Sequence, residues 1–324
     1  MDNFSITVEQ DGEGERIDHY LVVSTKGLSR TKIQNLIKEG FITVNNNTVK
    51  ANFRLSAGDE IEGTIPPVRE FELKPETIPL DIRFEDEYLL VINKPAGLVV
   101  HPGTGNWAGT LMNGLLHYLG EKGELSENKR PSLVHRLDKE TSGLLIAAKD
   151  EQSLNYMQLE LKKRRIKRRY QALVWGHLRE EQAVINFPIG RLPTDRRKMT
   201  VDEESGRDAV TRYVLLERYK FMDHVDISLQ TGRTHQIRVH FSHLGHPVVG
   251  DSDYGGNDKI LQGLFDQYRM DARKVLAIMR RQALHAWRLE FRHPQTGLIH
   301  AVKSELPDDI MKVLSYIKEI DPKL

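Results

Sequence analysis

Residues 144–148, Leu-Leu-Ile-Ala-Ala, are apolar without interruption. A short run of that kind, bounded by turn signals, reads as a buried strand, so the fold has to supply cover for it. Just before it, Asp138-Lys139-Glu140-Thr141-Ser142-Gly143 is polar and rich in turn-forming residues, and Leu133-Val134 is apolar again. Asp138 is therefore held on a connection between two apolar segments. Capping a turn is the ordinary use of such an aspartate. Here His135, Arg136, Lys139 and Glu140 crowd around it, and charged groups so close to a core strand shift one another's protonation, a property of functional sites.

The chain has 324 residues, above the usual size of one domain, which predicts two. Its formal net charge of +1 argues against a uniformly basic surface, so any affinity for a polyanion has to come from local clusters. Cysteine is absent, which excludes disulfides, thiolate metal sites and cysteine nucleophiles and favours an intracellular location. The start, Met1-Asp2-Asn3-Phe4-Ser5-Ile6, lacks the charged and apolar regions of a signal peptide. No run approaches the roughly 18 apolar residues of a membrane span. The expectation is a soluble, cytoplasmic monomer with no membrane partner.

Ile6 and Val8 alternate as a short strand. From Arg16 the pattern turns helical, with Ile17, Tyr20 and Leu21 on one face and Gly27 as the stop. A second helix is predicted from about Arg30 to Glu39, with Ser29 as N-cap and Gly40 at its end. Phe41-Ile42-Thr43-Val44 and Thr48-Val49-Lys50 flank Asn45-Asn46-Asn47 as a hairpin. Between Arg16 and Arg54 seven Lys/Arg face two acids. The segment Ile65-Pro66-Pro67-Val68-Arg69-Glu70, with Pro75 and Pro79 beyond, is the most linker-like stretch. These boundaries give a domain over 1–65, a linker over 66–80 and a second domain over 81–324.

In the second domain Tyr88-Leu89-Leu90-Val91-Ile92 is a strand ending at Asn93-Lys94-Pro95-Ala96-Gly97. The glycines near 103–109 form a loop without the order of a phosphate-binding motif. Helices are expected from Thr110 to Leu119 and from Ser153 to Arg165. Residues 162–169, Lys-Lys-Arg-Arg-Ile-Lys-Arg-Arg, read as a solvated, cationic helix end that also attracts a polyanion. Tyr170 to Trp175 alternates as a strand, and a buried core tyrosine is the default reading of Tyr170. Residues 188–207 look like a hairpin or exposed insertion. Val225 to Leu229 runs into Thr231-Gly232-Arg233-Thr234-His235-Gln236-Ile237-Arg238, where Thr234 is the expected N-cap of a helix and Arg233 lies at the junction. His235, His240, His243 and His246 lack the spacing of a metal motif. One helix is expected over 258–282, a strand over 284–291 and a last helix from Pro307.

Two sets of motifs resemble known families. The basic N-terminal helices and hairpin, with Ser29-Arg30-Thr31-Lys32-Ile33-Gln34 and Gly58-Asp59-Glu60-Ile61, resemble the S4-type RNA-binding domain. That resemblance implies phosphate contacts by Arg30, Lys32 and Lys38. The block His135-Arg136-Leu137-Asp138-x-x-Thr141-Ser142-Gly143, the strand at Tyr170, the Thr231–Arg238 junction and Leu284-His285-Ala286 resemble the RluA-type pseudouridine synthases. Asn93-Lys94-Pro95-Ala96-Gly97, His101-Pro102-Gly103 and Gly250-Asp251-x-x-Tyr254-Gly255 extend the likeness over nearly the whole chain.

The resemblance implies an α+β fold: a mixed, mostly antiparallel central sheet with flanking helices, plus the small N-terminal RNA-binding domain. It implies cofactor-free isomerisation of uridine to pseudouridine in structured RNA, with large-subunit ribosomal RNA the first expectation and tRNA the alternative. Asp138 would be the essential carboxylate, attacking ribose carbon 1′ or promoting elimination. Arg233 would pair with it and fix its direction. Tyr170 would stack on the base and stand as a reluctant general base. Because a base in a helical stack is out of reach, the nucleotide must be flipped out, with Arg136 filling the space it leaves. His135 and Thr141 are expected on the substrate side of the same loop. The competing readings are a non-catalytic RNA-binding or ribosome-assembly factor on the same fold and a nucleoside hydrolase using the same carboxylate.

Overall fold

The computed structural model describes residues 2–25, 28–66, 73–103, 107–126 and 130–321. The chain forms two compact units, Met1–Glu72 and Leu73–Leu324. Gly27, the expected helix stop, and residues 67–72 of the expected linker lie outside the described residues.

The first unit contains β1 (Asp2–Thr7), α1 (Ile17–Ser24), α2 (Arg30–Lys38), β2 (Ile42–Val44), β3 (Asn47–Thr48) and β4 (Glu60–Ile65). Its antiparallel sheet has the order β1-β4-β2-β3. Asn45 and Asn46 both take positive φ, 47° and 62°, the twist that a two-residue hairpin requires and that asparagine tolerates. The Ser29 side chain accepts from the Lys32 N–H, capping α2. Ile17 and Leu21 of α1 meet Ile33, Leu36 and Ile37 of α2 over Ile42, Val44 and Ile61 of the sheet.

The second unit begins with β5 (Ile82–Glu85), β6 (Leu89–Lys94), α3 (Leu111–Glu121), β7 (Ser132–Leu133) and β8 (Ser142–Ala148). It continues through α4 (Glu151–Lys162), β9 (Lys167–Trp175), β10 (Gln182–Asn186), β11 (Ile189–Arg191) and β12 (Met199–Val201). It ends with β13 (Val210–Arg218), β14 (Met222–Leu229), α5 (Gln236–His243), α6 (Asp266–Ile278), β15 (Leu284–Arg292), β16 (Ile299–Lys303) and α7 (Asp308–Ile320). The main sheet has the order β10-β13-β14-β9-β15-β8-β6-β5, with β16 on β15 and β7 on β8. Among these strands β15 and β8 pair in parallel; the other pairings are antiparallel. Segment 188–207 carries the separate β11–β12 hairpin. The single helix expected over 258–282 is instead a 3-10 turn, Asp258–Gln262, and α6, separated at Gly263.

The apolar run at 144–148 is covered on both faces. Leu145 and Ala147 join the larger core with α3, α5, α6 and α7. Leu144, Ile146 and Ala148 join a second core with Met157 of α4. β6 divides likewise, Leu90 and Ile92 to one side and Leu89 and Val91 to the other. This double cover is why neither strand shows polar alternation.

Burial keeps His135, His224 and His285, among others, as neutral rings. Burial holds His135 down to about 3, and His224 and His285 to about 4. Between pH 6.5 and 4 the unfolded chain takes up protons on these rings that the folded chain refuses. Stability is therefore expected to fall as the pH drops through that window, by several kcal/mol in all. Urea titrations at pH 7 and pH 5 check this, and an unchanged midpoint would contradict it.

Candidate active site

The loop before β8 is fixed from three directions. Thr141 N–H donates to the Asp138 carbonyl at 3.1 Å, closing the turn. Lys94, fully buried, donates to the carbonyls of Pro95, Leu98 and Lys139 at 2.8, 2.9 and 2.9 Å, which ties the end of β6 to the residue following Asp138. Gly143 has φ +115°, and a Cβ there would lie 2.3 Å from the Ala286 oxygen, so only glycine allows β15 to approach at this point. The Asp138 carboxylate emerges from this frame with its side chain 18% exposed, in a cleft of about 450 Å³.

The carboxylate's partner is not the expected one. Arg238 Nη1 donates to Asp138 Oδ2 at 3.4 Å, and His235 Nε2 stands 3.9 Å from the same oxygen. Arg233 lines the cleft, but its Nε donates to the Asp208 carbonyl at 2.9 Å. The helix start explains the difference. His235, not Thr234, is the N-cap, with φ 56°, and this puts Arg238 in the first turn, on the His235 side and facing the loop. Arg233 falls before the helix and turns back toward β13.

Arg238 is itself held in place. It makes a two-pronged contact to the buried Asp251 at 2.6 and 2.8 Å and reaches Asp253 at 2.9 Å, with its guanidinium over the Tyr254 ring at 4.8 Å. Burial works against its charge, but the three carboxylates outweigh that and hold its pKa above the usual arginine range. Tyr254, pushed up to about 12 by burial, keeps its phenolic proton and hydrogen-bonds His235 Nδ1 at 2.7 Å. Burial also keeps His235 below its usual value. The neutral ring accepts from Tyr254 at Nδ1 and presents Nε2–H toward Asp138. Gln236 braces the junction by accepting from Thr231 and from the Arg233 N–H and donating to Val210 and Thr211.

Tyr170, 4% exposed, forms part of the cleft wall. Burial raises its pKa despite the nearby Arg168 charge, which takes the phenol further from general-base duty at neutral pH. Arg136 is exposed and lines the cleft. Thr141 also lines it but is 2% exposed, and its hydroxyl accepts from Gln282 at 3.2 Å, so it shapes the turn rather than offering a free group. His135 accepts the Ile146 N–H at Nε2, and its Nδ1 has no partner.

Residues 162–169 are not one helix end. α4 stops at Lys162, and 167–169 belong to β9, so neighbouring cations point to opposite sides. Lys162, Arg164 and Arg168 line the cleft. In the first unit, Arg30 is tied to Asp18 together with Arg16 and Gln34. Burial disfavours the Asp18 charge, but these donors hold it well below the usual carboxylate range. Arg30 thus sits in a fixed fork, half exposed, while Lys38 is exposed and Lys32 partly so.

Comparison with known proteins gives a consistent result. The sequence model for RNA pseudouridylate synthases matches residues 88–243, and that for the S4 domain matches residues 15–61. A Bacillus subtilis protein described as an uncharacterized RNA pseudouridine synthase is 37% identical over 98% of this chain and 99% of its own length. A Neisseria meningitidis ribosomal large subunit pseudouridine synthase D is 40% identical over 97% of this chain and 81% of that protein. Among solved structures, the human RNA pseudouridylate synthase domain containing 4 superimposes with a TM-score of 0.56 at 26% identity, covering 74% of this chain and 93% of that one.

Proposed function

The chain belongs to the RNA pseudouridylate synthase family, RluA type, and isomerises uridine in RNA to pseudouridine; we propose that this uridine lies in large-subunit ribosomal RNA. The supporting observation for the substrate is the near full-length similarity to the Neisseria enzyme, whose name specifies that subunit. For the chemistry it is the placement of Asp138 beside the Arg238 guanidinium, in a cationic cleft that Tyr170 also lines.

In this reading the target nucleotide leaves its stack and enters the cleft, at a cost of a few kcal/mol, and exposed Arg136 occupies the space behind it. The uracil ring lies against Tyr170. Asp138 either attacks ribose carbon 1′ as the bond to the base nitrogen breaks or draws off a ribose proton to expel the base; both routes need its carboxylate beside the sugar. Arg238 and His235 fix the direction of that carboxylate from one side. The freed base turns within the cleft, rejoins the ribose through carbon 5, and loses the carbon 5 proton. Atoms are conserved throughout, so the reaction consumes no cofactor. Lys32, Lys38 and the Arg30 fork supply a largely sequence-independent grip on phosphates.

Pseudouridine mapping of total RNA from a strain lacking the gene, and from the same strain complemented with it, tests the substrate. Loss and recovery of at least one site in large-subunit ribosomal RNA is expected. Loss confined to tRNA would replace that substrate, and an unchanged map would overturn it.

A further inference from the structure

Of the cleft cations that the chemistry above does not use, Arg168 is the most buried. It lies on β9 two residues before Tyr170 and is 8% exposed. Its hold on the protein is weak: Nη2 donates to the Thr231 carbonyl at 3.3 Å, and Nε has no partner. Neighbours in the same basic run are neutralised, Arg165 by Glu160, Lys167 by Glu290 and Arg169 by Asp226. Arg168 has no carboxylate within 4 Å among the described residues. A guanidinium stays charged at any ordinary pH, and a charge buried without a counter-ion is strongly disfavoured.

The surroundings are shaped to keep it there. A Cβ on Gly232 would come within 2.7 Å of Arg168 Nη1, so the glycine of the Thr231-Gly232-Arg233 junction gives the guanidinium its seat. A buried guanidinium that lines the cleft without a carboxylate partner calls for an anion.

We propose that Arg168 receives a phosphate of the flipped-out uridine, one of the two flanking its ribose. This rests on the reading of the Asp138 cleft as the uridine site. Residues i and i+2 lie on one face of a strand, about 7 Å apart. With the uracil against Tyr170, that stride places Arg168 beside the sugar-phosphate of the same nucleotide rather than beside its base. The phosphate then supplies the missing counter-charge, and the two contacts together set how far the nucleotide enters.

The test uses the full chain and an RNA transcript spanning a uridine that mapping shows it modifies. A single uncharged methylphosphonate is placed at either flanking linkage. For the wild-type enzyme, one of the two is expected to lower kcat/KM by about 10- to 100-fold, the range of a charge-assisted contact. Arg168→Gln should show a similar loss on natural RNA, a binding salt slope smaller by about 0.9, and less than about a twofold further loss on the methylphosphonate RNA. Arg168→Lys should recover part of the activity. Wild-type indifference to both linkages overturns the proposal even if Arg168→Gln does not fold, and so do fully additive losses. Asp138→Asn is assayed alongside. If it stays active the reading of the cleft fails; if it is inactive while wild type ignores both linkages, the Arg168 assignment alone fails.

Discussion

Asp138→Asn is expected to lower pseudouridine formation by at least about 10⁴-fold, the scale seen when an enzyme's reacting group is removed, with RNA binding unchanged or slightly tighter. The substitution keeps the size and hydrogen-bonding capacity of the side chain. The turn closed by Thr141, the Lys94 contacts and the Gly143 approach involve backbone atoms or other residues, so the frame survives. Arg238 retains Asp251 and Asp253, so no cation is left stranded. The carboxylate, required beside the ribose by either route, is lost. Removing one negative charge from a cleft lined by Arg136, Lys162, Arg164 and Arg168 can only favour a polyanion. Tritium release from RNA labelled at uridine carbon 5 measures the first effect and a filter-binding titration the second. Activity within about tenfold of wild type would remove Asp138 from the reaction.

Arg238→Gln is expected to combine a loss of folding stability of about 3–5 kcal/mol with a loss in kcat of about 10²–10³-fold. Asp251 is fully buried and takes both prongs of this guanidinium, so the variant leaves an uncompensated charge inside the protein. Asp138 loses the cation that sets its direction. Arg233→Gln is the matched control. Its Nε contacts a backbone carbonyl, and its removal should change stability by less than about 0.5 kcal/mol. Urea denaturation and kcat on the same RNA distinguish the two residues, and a larger catalytic loss from Arg233 than from Arg238 would reverse the assignment.

These two arginines also mark how far the sequence could be read. The buried strand at 144–148, the loop that presents Asp138 and the strand bearing Tyr170 were legible because continuous apolar runs and turn residues act locally. The choice between Arg233 and Arg238 was not, since it depends on which residue begins α5. The left-handed backbone of His235 gives no sign in a pattern where Thr234 is the better cap. One signal was present: His235 and Arg238 are three apart, the spacing that shares a helix face. Arg168 was hidden differently. A run of cations looks like a solvated helix end until the change from helix to strand sends alternate side chains inward. The break in the 258–282 segment at Gly263 was similarly masked by helix-compatible residues on both sides.

The position of β15 bears on how this protein is made. That strand lies between β9 and β8 in the main sheet, so the two halves of the sheet are joined through a segment that follows both of them in sequence. During synthesis, the chain up to about residue 283 presents two unfilled central edges, and the loop bearing Asp138 lacks the Ala286 backbone that Gly143 is shaped to meet. Pairings between distant segments form slowly, and open edges invite foreign strands. Competence to modify RNA is therefore expected only after the strand at 284–292 has emerged and closed the sheet. Nascent chains halted before that point are the species for chaperones to shield.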